Sequence, residues 1–296
     1  MGHYDYIIAD LRLRSDRELR EYGLRNFEPF SVTPTHSMAD CTLSFTEHID
    51  KSRYLNAKEL YHSYLEESNS NNYLYRVNDG YLYIVEPCGN DSQATLFHLD
   101  TTKRHITTNA TNSNPATLSF GIWMMFGILL AKSNAIAFHS SCIVSNGCGV
   151  LFLGESGTGK STHTQLWIKH IEGSSLLNDD SPIVRIDQDR IVVYGSPWSG
   201  KRACYKAEHY PIKAFCRLSQ APHNRVKRLP TIAALGALLP STPPQYAHDS
   251  ELQDAILSTL SNILRLSGVY HLECLPDADA ARVAHKTMIE DAESIG

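Results

Sequence analysis

No long run of lysine and arginine occurs in this chain of 296 residues, and its 27 Lys and Arg are outnumbered by 32 Asp and Glu. The formal net charge of −5 excludes general binding of nucleic acid and attachment to an anionic membrane, since both need a dense positive surface. The seven cysteines (Cys41, Cys88, Cys142, Cys148, Cys204, Cys216, Cys274) are odd in number, and no two stand as Cys-x-x-Cys. Neither a disulfide framework nor a zinc site is therefore expected. No apolar run reaches the ~20 residues of a membrane-spanning helix. The longest, Ala116–Ala131, includes Thr117, Ser119 and two glycines and stops at Lys132, so it reads as a buried core helix. The opening Met1-Gly2-His3-Tyr4-Asp5-Tyr6 lacks the basic and apolar segments of a secretory signal. Internal repeats and long low-complexity runs are also missing. These absences leave a cytoplasmic protein with reduced thiols as the expectation.

What is present suits a packed fold: 42% of residues are hydrophobic and 20% charged. The first third reads as β. Tyr4–Leu13 is strand-like, and Tyr73–Val77 and Tyr81–Val85 flank Asn78-Asp79-Gly80 as a hairpin. Ala94–Leu99 and Arg104–Thr108 read as a strand pair, and Leu55–Glu67 as a short helix. The polar run Thr107–Pro115 then suggests a boundary between a β-rich domain, 1–115, and a second domain, 116–296. Beyond it, Ala135–Val144 and Gly149–Leu153 read as strands around the turn Ser145-Asn146-Gly147. Thr162–Ile171 reads as a helix, Ser175–Leu177 as a short buried strand, and Pro182–Ile186 with Ile191–Tyr194 as a strand pair. Helices are expected over Thr231–Leu239, Ser250–Leu266 and Asp277–Asp291, with a strand at Val269–Leu275. The fold class is α/β: a nucleotide-binding core preceded by a small β-rich domain.

One motif carries chemistry directly. Leu151-Phe152-Leu153 runs into Gly154-Glu155-Ser156-Gly157-Thr158-Gly159-Lys160-Ser161 and then, from Thr162, into a helical segment. This is the phosphate-loop pattern in its strand–loop–helix setting. Glycines let the backbone curl so that several N–H groups face one phosphate, and the helix N-terminus adds a favourable dipole. Residues 154–162 are thus the candidate ATP-binding segment. Lys160 would meet the β- and γ-phosphates and the Ser161 hydroxyl would ligate Mg²⁺.

Leu176-Leu177-Asn178-Asp179-Asp180 places two carboxylates at the end of a short apolar strand. One would hold Mg²⁺ while the other takes a proton from an attacking hydroxyl. His139 stands ahead of the loop in Ile136-Ala137-Phe138-His139-Ser140-Ser141. Two further stretches carry cations. Tyr194–Arg202 brings Lys201 and Arg202, either of which could steady a transferring phosphoryl group. Arg217–Arg228, with Arg225, is either a substrate-binding segment or a solvated face.

Taken in order, His139, Gly-Glu-Ser-Gly-Thr-Gly-Lys-Ser and Asn-Asp-Asp resemble the C-terminal catalytic domain of HPr kinase/phosphorylase and, more distantly, ATP-dependent phosphoenolpyruvate carboxykinase. The small HPr-kinase-like proteins of bacteria, some of which accompany lasso-peptide tailoring genes, are closer. They share the Leu-Asn-Asp-Asp, Gly-Ser-Pro-Trp-Ser-Gly-Lys and Ala-Pro-His-Asn-Arg stretches. The resemblance spans Phe138–Leu229 and hardly touches residues 1–115. It implies His139 near the transferring phosphate, Asp179 as general base, and Asp180 with Ser161 as metal positions. It also implies ATP and Mg²⁺ as cofactors and a hydroxyl acceptor, that of Ser or Thr in a peptide or protein, or of a small molecule. The long docking loop of HPr kinase has no counterpart, so HPr itself is not the expected acceptor. HPr kinases form hexamers, and a homo-oligomer stays open for a chain whose N-terminal region differs from theirs. Two other readings stand beside the kinase: a carboxykinase-like enzyme acting on a small organic acid, and a non-catalytic ATP-binding switch.

Overall fold

The computed structural model describes residues 2–50, 54, 56–66, 68–89, 93–200 and 202–290. The chain forms a mixed α/β fold in two compact units, Met1–Ser133 with Pro244–Asp254 and Asn134–Pro243 with Ala255–Gly296.

The first unit is built on a nine-stranded sheet. Its strands are β1 (Tyr4–Ile8), β2 (Leu11–Ser15), β3 (Ser31–Val32), β4 (Cys41–Phe45), β5 (Lys58–Leu65), β6 (Ser70–Val77), β7 (Gly80–Pro87), β8 (Thr95–Asp100) and β9 (His105–Thr108). They lie in the order β3-β1-β2-β4-β9-β8-β7-β6-β5. Where one strand was expected over Tyr4–Leu13 there is a tight hairpin. Ala9 (φ +50°) and Asp10 (φ +61°) take the left-handed conformation between β1 and β2, a turn that Asn-Gly or Asp-Gly would normally announce. The short helix expected over Leu55–Glu67 is instead the edge strand β5, held by its antiparallel ladder to β6. Pairing with a neighbour overrides a weak local preference there. The β6/β7 hairpin forms as read, with Val77 opposite Gly80. Gly80 (φ +156°) is required: a Cβ on it would lie 1.9 Å from the Leu99 carbonyl oxygen.

Helix α1 (Pro115–Ala131) is the buried helix anticipated from its composition. Asn114 caps it, accepting a hydrogen bond from the Thr117 N–H at 3.1 Å, and Pro115 occupies the first turn. The polar stretch before it is thus a helix lead-in. The helix packs on β7 and β8 and groups with the first unit, whereas the sequence division at 115/116 stands before it. Among the described residues, no helix is long and apolar enough to cross a membrane.

The second unit holds the other sheet. Its strands are β10 (Ala135–Ala137), β11 (Ser140–Ser145), β12 (Cys148–Leu153), β13 (Ser175–Asp180), β14 (Ile183–Asp187), β15 (Arg190–Tyr194), β16 (His209–Gln220), β17 (Arg225–Arg228) and β18 (Gly268–Cys274). The main order is β10-β14-β15-β16-β12-β11-β13, with β18 beside β16 and β17 beside β18. Helices α2 (Lys160–His170), α3 (Thr231–Leu238), α4 (Ser250–Leu266) and α5 (Ala278–His285) follow in chain order. Phe152, Trp167, Cys216, Leu272, Ala284 and Met288 form one buried cluster between the sheet and helices α2 and α5.

Besides the short strand β17, two features of this unit escaped sequence reading. The run Ala135–Val144 is not one strand. It breaks at Phe138-His139, where the two N–H groups donate to the carbonyls of Pro182 (3.0 Å) and Ser241 (2.8 Å). β10 therefore pairs with β14, while β11 pairs with β12 and β13. The second is β16, a twelve-residue strand at the centre of the sheet, parallel to both β12 and β18. Pro211, Lys213 and Arg217 interrupt its apolar pattern, and Ala214, Phe215, Cys216 and Leu218 are nonetheless buried.

Candidate active site

β12 ends at Leu153, residues 154–159 form a loop, and Lys160 opens α2. The loop closes on itself: the Thr158 N–H and hydroxyl both donate to the Glu155 carbonyl, at 3.2 and 2.8 Å. Gly159 (φ +101°) makes the left-handed step into the helix, a conformation that disfavours side chains. Ser156, Ser161 and Thr162 are exposed around the loop and the first turn of α2.

The Lys160 ammonium donates to the carbonyls of Gly154 (2.6 Å) and Glu155 (3.3 Å) and lies 3.1 Å from His139 Nε2. Burial pushes its pKa below the ordinary lysine value, opposed by the charges of Asp180 and Asp179. An ammonium is a donor only, so His139 Nε2 accepts, and the ring proton of a neutral imidazole sits on Nδ1. Nδ1 in turn stands 3.1 Å from Asp180 Oδ1. Lysine, histidine and aspartate form one chain with His139 in the middle, and His139 and Asp180 are half exposed at 50% and 44%.

Asp180 carries backbone strain as well. Its φ of +140° falls in a region that is essentially glycine-only, and such residues cost of order 1–3 kcal/mol and cluster at functional sites. The surroundings hold it there. Asp180 bridges to Ser199, and the Asp179 carbonyl accepts from the Gly200 N–H (2.6 Å) and the Ser199 hydroxyl (3.1 Å).

Asp179 occupies a different environment, with only 5% of its surface exposed. Its carboxylate accepts a hydrogen bond from the Ser141 hydroxyl and faces the Ser161 hydroxyl at 3.4 and 3.5 Å. Adjacent residues on a strand point to opposite sides, which sends Asp179 towards Ser161 and Asp180 towards His139. Ser161 and Asp179 are hard oxygen donors set side by side. That set suits Mg²⁺, which takes one or two protein oxygens and completes its shell with water and phosphate. Among the described residues no group of three His, Cys, Asp or Glu forms a metal cage by itself.

The remaining cations part company. Arg202 Nη2 donates to the Ser161 carbonyl at 3.3 Å, and its buried Nη1 has no hydrogen-bond partner among the described residues. Lys201 lies outside the described residues. Arg225 is exposed on β17 opposite Glu273, and among the described residues no hydrogen bond or ion pair ties it to the loop or the Asp pair. The turn before it is organised by Asn224, whose amide donates to Asp277 and Asp279 at 3.0 Å each.

Three site residues were not singled out from sequence: Ser141, Asn178 and Ser199. Asn178 is fully buried, donates to the Trp198 carbonyl at 2.9 Å and accepts from the Ser181 N–H at 2.9 Å. It pins the Ser196–Trp198 segment against the acid pair. A polar residue inside an apolar strand was the available signal, because a buried amide is kept only where its hydrogen bonds are met.

No protein-family model matches the chain, and no curated protein matches it. Among solved structures, the Hpr(Ser) kinase/phosphatase from Coxiella burnetii is similar to it at 13% identity and a TM-score of 0.31, over 54% of this chain and 97% of that one.

Proposed function

We propose that the second unit is an ATP-dependent kinase that transfers the γ-phosphoryl group to a hydroxyl, that of serine or threonine in a peptide or protein. The observation that carries this reading is the Lys160–His139–Asp180 chain beside the loop that opens α2. A non-catalytic switch needs a loop for phosphate but has no use for a solvent-accessible carboxylate oriented by a histidine.

In the reaction the acceptor hydroxyl gives its proton to a carboxylate as its oxygen bonds to the γ-phosphorus. The bond to the β–γ bridging oxygen breaks, and ADP leaves with that electron pair. The family resemblance names Asp179 as the base and Asp180 as the metal position. The exposure and partners of the two support the reverse division. Asp180 is accessible, and the His139 Nδ1–H holds it in place. Asp179 is buried beside Ser161. Ser161 and Asp179 would hold Mg²⁺, which when bound neutralises charge on the phosphates. Lys160 adds a point charge for the β- and γ-oxygens, and Arg202, whose Nη1 has no hydrogen-bond partner among the described residues, is a second cation next to Ser161. A cytoplasmic setting goes with this reading, since ATP is at hand there.

The test is transfer from labelled ATP to hydroxyl-bearing peptides by wild type, Lys160→Ala, Asp179→Asn and Asp180→Asn. Lys160→Ala should abolish turnover. Asp180→Asn should lower kcat by about 10²–10⁴ with nucleotide affinity kept, and Asp179→Asn should weaken the Mg²⁺-dependent part of binding. Undiminished transfer by both Asp variants, or ATP binding with no consumption beside any acceptor, would refute the kinase reading.

A further inference from the structure

The two flanks of β12 differ in chemistry. On the β11 side stand His139, Asp179 and Asp180. On the β16 side, between the outer arc of the loop and the ends of β16 and β18, is a cleft of about 410 Å³. Its lining residues are mostly polar. Arg217 Nη2 reaches Glu155 Oε1 at 3.6 Å, Ser219 Oγ and His271 Nε2 share a hydrogen bond of 2.9 Å, and the Gln220 amide donates to the Gly157 carbonyl at 3.3 Å.

We propose that this cleft receives the nucleoside half of the nucleotide. The inference rests on the phosphate-loop reading above. A triphosphate lying along the loop has two unlike ends, and the γ end must face the Asp180–His139 side, where the base and the second cation are. The other end then leaves on the β16 side. The cleft's volume lies at the small end of ligand sites, which run from about 300 to 1,000 Å³. That suits a purine and its ribose. The chemistry matches as well. The Glu155 carboxylate, 83% exposed, accepts hydrogen bonds from ribose hydroxyls. The planar Arg217 guanidinium serves the α-phosphate or stacks on the base. Gln220 and the Ser219–His271 pair present donors and acceptors to the edge of a base.

The experiment compares calorimetric binding of Mg·ATP and of inorganic tripolyphosphate to wild type, Gln220→Ala and His271→Asn. Wild type should bind ATP more tightly than tripolyphosphate. Each variant should lose about three- to tenfold of ATP affinity, the value of a hydrogen bond, while its tripolyphosphate affinity stays at the wild-type level. Retained tripolyphosphate binding also certifies that the variants are folded. Equal binding of ATP and tripolyphosphate by wild type overturns the proposal and leaves the phosphate loop standing. So do variants whose ATP affinity is intact but whose KM for the acceptor rises, which would make the cleft an acceptor site. If wild type binds neither probe, the phosphate-loop reading fails and the cleft assignment falls with it.

Discussion

His163 sits in the first turns of α2, three residues after Lys160, and is 3% exposed. Its ring meets Phe152 edge-on at 4.7 Å, its Nε2 accepts from the Trp167 indole N–H at 3.0 Å, and its buried Nδ1 has no hydrogen-bond partner among the described residues. Burial pushes the pKa down from the ordinary 6.5 to about 4. Below the ordinary value the unfolded chain takes up a proton that the folded chain refuses. The stability contribution is therefore complete above pH 6.5, falls as the pH drops from there to about 4, and is level below that. At ~1.36 kcal/mol per unit over this window, the loss amounts to about 3 kcal/mol. His163→Gln keeps an acceptor for Trp167 and cannot titrate. Urea unfolding of both proteins, followed by tryptophan fluorescence from neutral pH down to about 4, gives the difference in stability at each pH. All other titrating groups are common to the two proteins and cancel. The difference should move in favour of the variant by up to about 3 kcal/mol on acidification. A difference that stays constant across the window would refute the claim that the fold holds His163 neutral. Lys160 and Ser161 occupy the first turn of the same helix, so loss of the proposed nucleotide binding on acidification should track this unfolding.

Two further outcomes are expected. His139→Asn keeps a donor but cannot link Lys160 to Asp180 through a ring. Turnover should fall more than about tenfold with the thermal midpoint nearly unchanged, because the side chain is half exposed; a lowered midpoint with full specific activity would make His139 a structural prop. In the first unit, a Cβ at Gly121 would lie 2.2 Å from the Phe97 ring. Gly121→Ala should then destabilise that unit by about 1–3 kcal/mol, read as a shift of its denaturation midpoint, and an unmoved midpoint would show that the ring gives way.

Short-range chemistry was legible in the sequence. Asn114 and Pro115 before an apolar run specify the start of α1, and Asn78-Asp79-Gly80 between alternating segments specifies the β6/β7 hairpin. Glycines 154, 157 and 159 ahead of Lys160 specify a loop between strand and helix. Each signal lies within a few residues of the structure it determines, so capping, turn geometry and helix initiation are settled locally. Elements held by distant partners were not legible. β5 and β16 owe their state to neighbouring strands, and β16, with Pro211 and Lys213 inside it, has no clean period of its own. The break at Phe138-His139 exists because Pro182 and Ser241 supply its acceptors. The contrast within Asp179-Asp180 is likewise tertiary. Two identical side chains in sequence become a buried carboxylate beside Ser141 and Ser161 and a half-exposed one beside His139, since desolvation and hydrogen bonding depend on what the fold brings within a few ångströms and not on what lies next along the chain.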